Sequence, residues 1–193
     1  MEDKTSWTPS PDENIQGITD KNIINELESR GIATAELWIL NLDVEVTVTI
    51  GLILDIHKLA FSDLYDWAGK WRNVEVVVGQ LTPPSPVQLP QLMYQFVDHL
   101  NYKFYKATSL EDKLDCLVYV HYEFVKIHPF NNGNGRTGRL LMNLIALKLG
   151  FHPIELYHQS GEKRSTYIKA MKEADDGNFK LLRSLIAEEI STL

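Results

Sequence analysis

The amino-acid sequence predicts an all-α domain, mainly helical, with a single short β-hairpin. Apolar residues recur three and four apart along most of the chain, and the runs are separated by capping residues, glycine or proline. Only the stretch from Asn73 to Val78 is short and β-branched, with Gly79 directly after it. A length of 193 residues suits one domain with a core of its own.

Residues 1–18 are polar and carry Pro9 and Pro11, which predicts a loosely docked N-terminal arm ahead of a single domain over residues 19–193. A helix is expected from Thr19 to Arg30, capped by Thr19 or Asp20 and ended by Gly31, with a second beginning near Thr34. The next segment reads two ways. From Val44 to Ile50, β-branched residues alternate with Glu45, Thr47 and Thr49 as in a strand, whereas Leu52, Ile53, Ile56, Ala60 and Leu64 follow helical spacing. A helix from about Thr47 to Ser62 is the preferred reading. The hairpin falls around Val74–Leu81, because Pro83, Pro84 and Pro86 forbid regular ladder pairing after it. Leu89, Leu92, Met93, Phe96 and Leu100 give the next amphipathic helix. Thr108 and Glu111 have capping-box spacing and open another, which turns Leu114, Leu117, Val118, His121 and Val125 inward and ends before Pro129. Leu140, Leu141, Leu144, Ile145 and Leu147 mark a very apolar helix that stops at Gly150. Two helices complete the chain, Glu162–Ala174 and Asn178–Ile190, with Asp176 expected to cap the second.

With 19 Lys and Arg against 26 Asp and Glu, the net charge is −7, which argues against generic nucleic-acid coating. One cysteine, Cys116, excludes an intrachain disulfide framework and a cysteine-rich zinc site, and its place on an apolar helix face predicts a buried structural thiol. No apolar run reaches the ~18 residues of a transmembrane helix. The first residues, Met-Glu-Asp-Lys-Thr, lack an apolar signal core, so a cytoplasmic protein with no direct nucleic-acid or membrane partner is expected. His57, His99, His121, His152 and His158 have no paired metal-ligand spacing and read as structural or surface groups.

The stretch from His128 to Arg139, HPFNNGNGRTGR, concentrates the chemistry between two strong helices. Gly133 and Gly135 let the backbone turn with exposed amides and admit a bulky anion closely. The helix expected from about Arg136 adds free N–H groups and the positive end of its dipole, a setting that welcomes phosphate. Arg136 and Arg139, three apart, are neighbours on its first turn and suit a polyphosphate, with Asn134 as a further donor. His128 can act as a general base near neutral pH. These features suggest group transfer from a nucleotide. The competing reading is a surface turn beside a solvated arginine face, since Asn-Gly-Asn-Gly is also turn chemistry. No Lys-Ser/Thr follows the last glycine, so the stretch is not a Walker loop.

The same stretch resembles the motif of the Fic/Doc (Fido) family, His-x-Phe-x-(Asp/Glu)-Gly-Asn-Gly-Arg-x-x-Arg, through His128, Phe130, Gly133, Asn134, Gly135, Arg136 and Arg139. His57, Phe61, Tyr65 to Gly69, and Arg72 are similar to the family's upstream helix and Tyr-x-Trp-Ala-Gly turn. Arg164, Tyr167, Ala170 and the Asp176-Gly177 turn are similar to its distal helices, so the likeness covers a core of about residues 47–190. The resemblance implies a Fic fold that transfers AMP from ATP to a Ser, Thr or Tyr hydroxyl of a target protein. It assigns His128 as base, Gly133, Asn134 and Gly135 to the α- and β-phosphates, Arg136 and Arg139 to the β- and γ-phosphates, and Phe130 to anchoring the loop. Val74, Glu75, Val76, Val77, Val78 and Gly79 would form the flap that docks the target by strand addition.

One position departs from the pattern. Asn132 stands where relatives carry the carboxylate that holds Mg²⁺, so Asn132 is at most a weak metal ligand. Mg²⁺ and ATP are nevertheless the expected cofactor and substrate, with retained activity preferred. The alternatives are a Doc-like kinase toxin, which the Gly135 position (Lys in Doc-like sequences) disfavours, and a degenerate Fic fold that binds nucleotide or protein without catalysis. The Asn-Gly-Asn-Gly-Arg form, with Ile24 to Glu28 and Trp38, also resembles a bacterial branch named mobile mystery protein B, encoded beside a helix-turn-helix partner. Many members carry an inhibitory helix, Ser/Thr-x-x-x-Glu-(Gly/Asn), whose Glu pairs with the second motif arginine. Nothing ahead of His128 fits that pattern. Ser184 and Glu188 have the spacing, but Glu189 follows, and a solvated face of the last helix is the simpler reading. Without an internal inhibitor, a separate antitoxin-like protein could serve.

Overall fold

The computed structural model describes residues 14–43, 45, 47–79, 81–156 and 160–193. Residues 1–13 of the expected arm, and His158, lie outside them. Among the described residues are seven α-helices: α1 Lys21–Leu40, α2 Ile50–Phe61, α3 Leu89–Lys106, α4 Leu110–Ile127, α5 Asn134–Lys148, α6 Gly161–Asp175 and α7 Lys180–Glu189. The fold is all-α. Helices α4 and α5 pack together at the centre, α3 and α7 flank α4, α1 lies against α2 and α5, and α6 rests on α7. Tyr122, Phe124, Phe96, Phe130, Phe61 and Leu117 are among the largest fully buried side chains.

The first two expected helices are one. Asp20 caps α1 by accepting the Asn22 N–H, and the helix continues through Gly31 to Leu40. A Cβ on Gly31 would lie 2.1 Å from the Ala60 carbonyl oxygen. This glycine is therefore a point of backbone contact between α1 and α2 rather than a terminator. Thr49 caps α2, whose start is three residues later than expected. Neither strand nor helix forms at Thr47–Thr49: that segment leads in extended, and Val48 O accepts from Asn101 Nδ2 at 2.9 Å. Residues 14–18 are held more firmly than a loose arm. The Ile15 N–H donates to Leu64 O at 2.8 Å, and Asn14 is buried and clasps Ile18.

The hairpin contracts to a single bridge. Val78 and Leu81 exchange both backbone hydrogen bonds at 2.9 Å across a turn with Gly79 at φ +62°. The box opening α4 is Ser109 with Asp112, one residue beyond the expected Thr108 and Glu111. Asp176 closes α6 instead of opening α7, where the Lys180 N–H donates to the Asn178 side chain. Cys116 is buried, and burial pushes its thiol up to about 12, as a structural thiol requires.

Candidate active site

Helix α4 ends at Ile127 because Pro129 disfavours helical geometry in the residue before it. His128 takes a left-handed conformation there, φ 51°, the only positive φ of a non-glycine residue among those described. Its Nδ1 lies 3.2 Å from Val125 O. A carbonyl can only accept, so Nδ1 carries the proton and Nε2 is the basic nitrogen. Burial, with a smaller contribution from the Arg72 charge, lowers the His128 pKa to about 4. The imidazole is thus neutral at pH 7.

The loop between α4 and α5 is fastened from within. Phe130 is fully buried and stacks on His57, ring centroids 3.6 Å apart. His57 Nδ1 accepts from the Gly69 N–H at 2.8 Å, which places its proton on Nε2 and makes that atom the donor to Asn132 O at 3.1 Å. Asn134 is also buried: Oδ1 accepts the Phe130 N–H and Nδ2 donates to Phe130 O, both at 2.8 Å. The expected phosphate-donor role of the Asn134 side chain is therefore corrected. It faces inward and ties the loop. The Gly133 N–H is likewise engaged, by Asn132 Oδ1 at 2.7 Å. Gly133 has φ 75°, and a Cβ there would meet the Phe61 ring at 2.6 Å. Helix α5 begins at Asn134, two residues before the expected Arg136. The first intrahelical bond runs from Thr137 N–H to Gly133 O. The N–H groups of Asn134, Gly135 and Arg136 consequently have no partner four residues back, the arrangement at a helix start that favours an anion.

Both motif arginines stand beside that end. Arg139 folds back so that its Nη1 lies 3.5 Å from where a Gly135 Cβ would be. Arg136 packs over the Phe61 ring at 4.6 Å and makes a salt bridge to Glu28 of α1, Nη1 to Oε2 at 2.7 Å. Glu28 is buried, and its Oε1 accepts the Tyr65 hydroxyl at 3.0 Å. The candidate C-terminal carboxylate behaves differently: Glu188 is exposed and takes the Ser184 hydroxyl within α7.

A family model, the Fic/DOC family, matches residues 47–146. The chain belongs to the Fic/DOC family. This Fic domain is 34% identical over 91% of its length to Protein adenylyltransferase Fic of Drosophila willistoni, of which the match covers 34%. Against Protein adenylyltransferase Fic of Nematostella vectensis it is 30% identical over 91% of its length and 40% of that protein. The chain thus spans about a third of the length of such curated relatives. Among solved structures it superposes on C. elegans Fic-1 (aa134–508) with a TM-score of 0.71 and 26% identity, covering 89% of this chain and 50% of that one. BepC of Bartonella tribocorum with bound AMPPNP shares the fold, with a TM-score of 0.71 and 19% identity, over 93% of this chain and 92% of that one.

Glu28 is the residue of this Fic domain that motif reading misses. Ile24 stands where the family pattern has Ser or Thr, and Ser29 where it has Gly or Asn. The signal was the helical stripe itself: Ile24, Glu28, Gly31, Ala35 and Ile39 are the buried residues of α1, and one of them is an acid. His57 and His121 are buried structural groups, as expected, each lowered by burial to about 3. The unfolded chain takes up protons at these two and at His128 near pH 6.5, whereas the folded state resists until about pH 3–4. Stability from this source is complete above pH 6.5 and is lost as pH falls toward 4, at up to about 1.4 kcal/mol per pH unit for each histidine. Urea midpoints at pH 7.5, 6 and 5 should fall progressively; a flat series would contradict the buried neutral state.

Proposed function

We propose that this Fic domain transfers AMP from ATP to a hydroxyl side chain of a target protein. The observation that carries the reading is His128, neutral and with Nε2 as its basic nitrogen, at the same loop as the open N-terminus of α5 and its two arginines. The names of its relatives support the activity, and the AMPPNP bound to BepC supports a triphosphate ligand. In this reaction the target oxygen attacks the α-phosphorus, its proton passes to His128 Nε2, and the bond to the bridging oxygen breaks to release pyrophosphate. The N–H groups of Gly135 and Arg136, with the Arg136 and Arg139 guanidinium groups, hold the phosphates and balance the charge. The target docks along Val74–Gly79, where Val74 and Val77 are more than half exposed.

At the position where relatives carry the metal-holding carboxylate, the site offers Mg²⁺ only a neutral oxygen, Asn132 Oδ1, which already accepts from Gly133. Glu28 is occupied by Arg136, and no group of three or more His, Cys, Asp or Glu that could hold a metal exists among the described residues. A resident Mg²⁺ does not fit this donor set, and the metal enters on ATP as part of the substrate. Asn132→Asp should lower the Mg²⁺ concentration needed for half-maximal transfer several-fold, read from a magnesium titration at fixed ATP.

Glu28 supplies the regulation in this reading, because it occupies Arg136 before any phosphate does. With Glu28 as the internal inhibitor, no separate antitoxin-like protein is required; the Asn-Gly-Asn-Gly-Arg form, with Ile24 to Glu28 and Trp38, supports descent from the mobile mystery protein B branch and a helix-turn-helix partner. Among the described residues no helix is long and apolar enough to cross a membrane. Incubation with α-labelled ATP followed by mass spectrometry of the modified protein tests the reading: an AMP adduct supports it, a phosphate adduct supports the Doc-like alternative, and ATP binding with no adduct supports a non-catalytic module.

A further inference from the structure

We propose that Arg72 is a positioning residue that sets the general base and the target-docking flap in one register. Arg72 is 2% exposed and its guanidinium meets neutral backbone carbonyls rather than a carboxylate. Nε donates to His128 O at 2.8 Å and Nη1 to Val74 O at 3.0 Å, while Nη2 donates to Pro84 O. Its own N–H donates to Pro129 O at 2.9 Å. Val74 opens the flap and Pro84 lies three residues past Leu81 on its outgoing side, so a single side chain joins the segments on both sides of the turn to the residue that takes the proton. This deepens the AMP-transfer reading and rests on it for the consequence to catalysis.

Burying a cation among carbonyls is costly: burial lowers the Arg72 pKa, and the Glu75 charge offsets part of that. Only the planar fork of arginine offers donors in three fixed directions; an ammonium cannot reproduce them. The His128 conformation needs such support. A non-glycine residue at positive φ costs about 1–3 kcal/mol and persists where its surroundings over-determine it. Here two successive carbonyls, those of His128 and Pro129, are both held by Arg72. The flap has little else to hold it, with one bridge at its tip and exposed valines along it. A strand added to this flap presents its hydroxyl at a height fixed by Arg72, and the same residue fixes the imidazole.

The test compares Arg72→Met and Arg72→Lys, each in the Glu28→Gln background so that Arg136 is free. Self-modification with α-labelled ATP should slow about 10–100-fold at saturating ATP, the scale of a 1 Å misplacement, while the half-saturating ATP concentration and the affinity for ATP stay within about twofold, since the phosphate-binding residues are untouched. Amide exchange at Val74–Val78 should quicken in both variants. Arg72→Lys, which keeps the charge, covers the case in which Arg72→Met fails to fold. A folded variant with unchanged flap exchange and transfer rate overturns the proposal, and so does an equal loss of ATP affinity, which would mark a general structural role. If the Glu28→Gln protein with Arg72 intact transfers no AMP, the enzymatic reading fails, and the exchange measurement still decides whether Arg72 holds the flap.

Discussion

Replacing His128 should lower AMP transfer by about 10²–10⁴-fold, the usual contribution of a general base, with ATP affinity intact. Asparagine is the better probe, because position 128 is left-handed and asparagine tolerates that region whereas alanine is strained there. His128→Asn should therefore lose activity and keep its unfolding midpoint, while His128→Ala loses both. The pH dependence has a definite form. Free protein has the imidazole at about 4, so the acid limb of kcat/KM lies near that value. Arriving phosphates favour the protonated ring, so the acid limb of kcat lies higher. Label transfer that survives His128→Asn would remove the base assignment.

Glu28→Gln should raise AMP transfer and ATP affinity together. Glu28 holds Arg136 through a charge-assisted contact of 2.7 Å, and a polyphosphate must displace it to use that guanidinium. Such contacts contribute about 1.5–3 kcal/mol, and ~1.4 kcal/mol is tenfold, so the gain should be about 10–100-fold. The fold tolerates the change. The glutamine oxygen can still accept the Tyr65 hydroxyl, and the Arg136 side chain, 26% exposed, reaches water. Titration with ATP and a self-modification assay read the two quantities, and no gain in either would mean Glu28 does not compete with phosphate.

Periodicity and turn chemistry carry most of the fold. The apolar runs of α3, α4 and α5 and the stop at Pro129 are legible because burial and backbone restriction act locally. The errors share another cause. Gly31 looks like a helix terminator until Ala60 is seen against it, and Asn134 looks like a free donor until Phe130 closes on it. Both depend on what packs nearby in space. Boundary shifts at Ser109 and Asn178 arise where adjacent residues can each cap a helix. The motif from His128 to Arg139 names the loop histidine and the two arginines on the first turns of the helix after it. It cannot name the carboxylate that faces them, because Glu28 comes from a helix 108 residues away in the chain.

The meeting of Gly31 with the Ala60 carbonyl also bears on time. It lies one turn from Glu28, and it holds the backbones of α1 and α2 in close contact. Relief of the carboxylate is then a swing about its own side-chain torsions, a motion far faster than helix displacement. Onset of AMP transfer after mixing with ATP should accordingly show no lag on the millisecond scale of domain rearrangement.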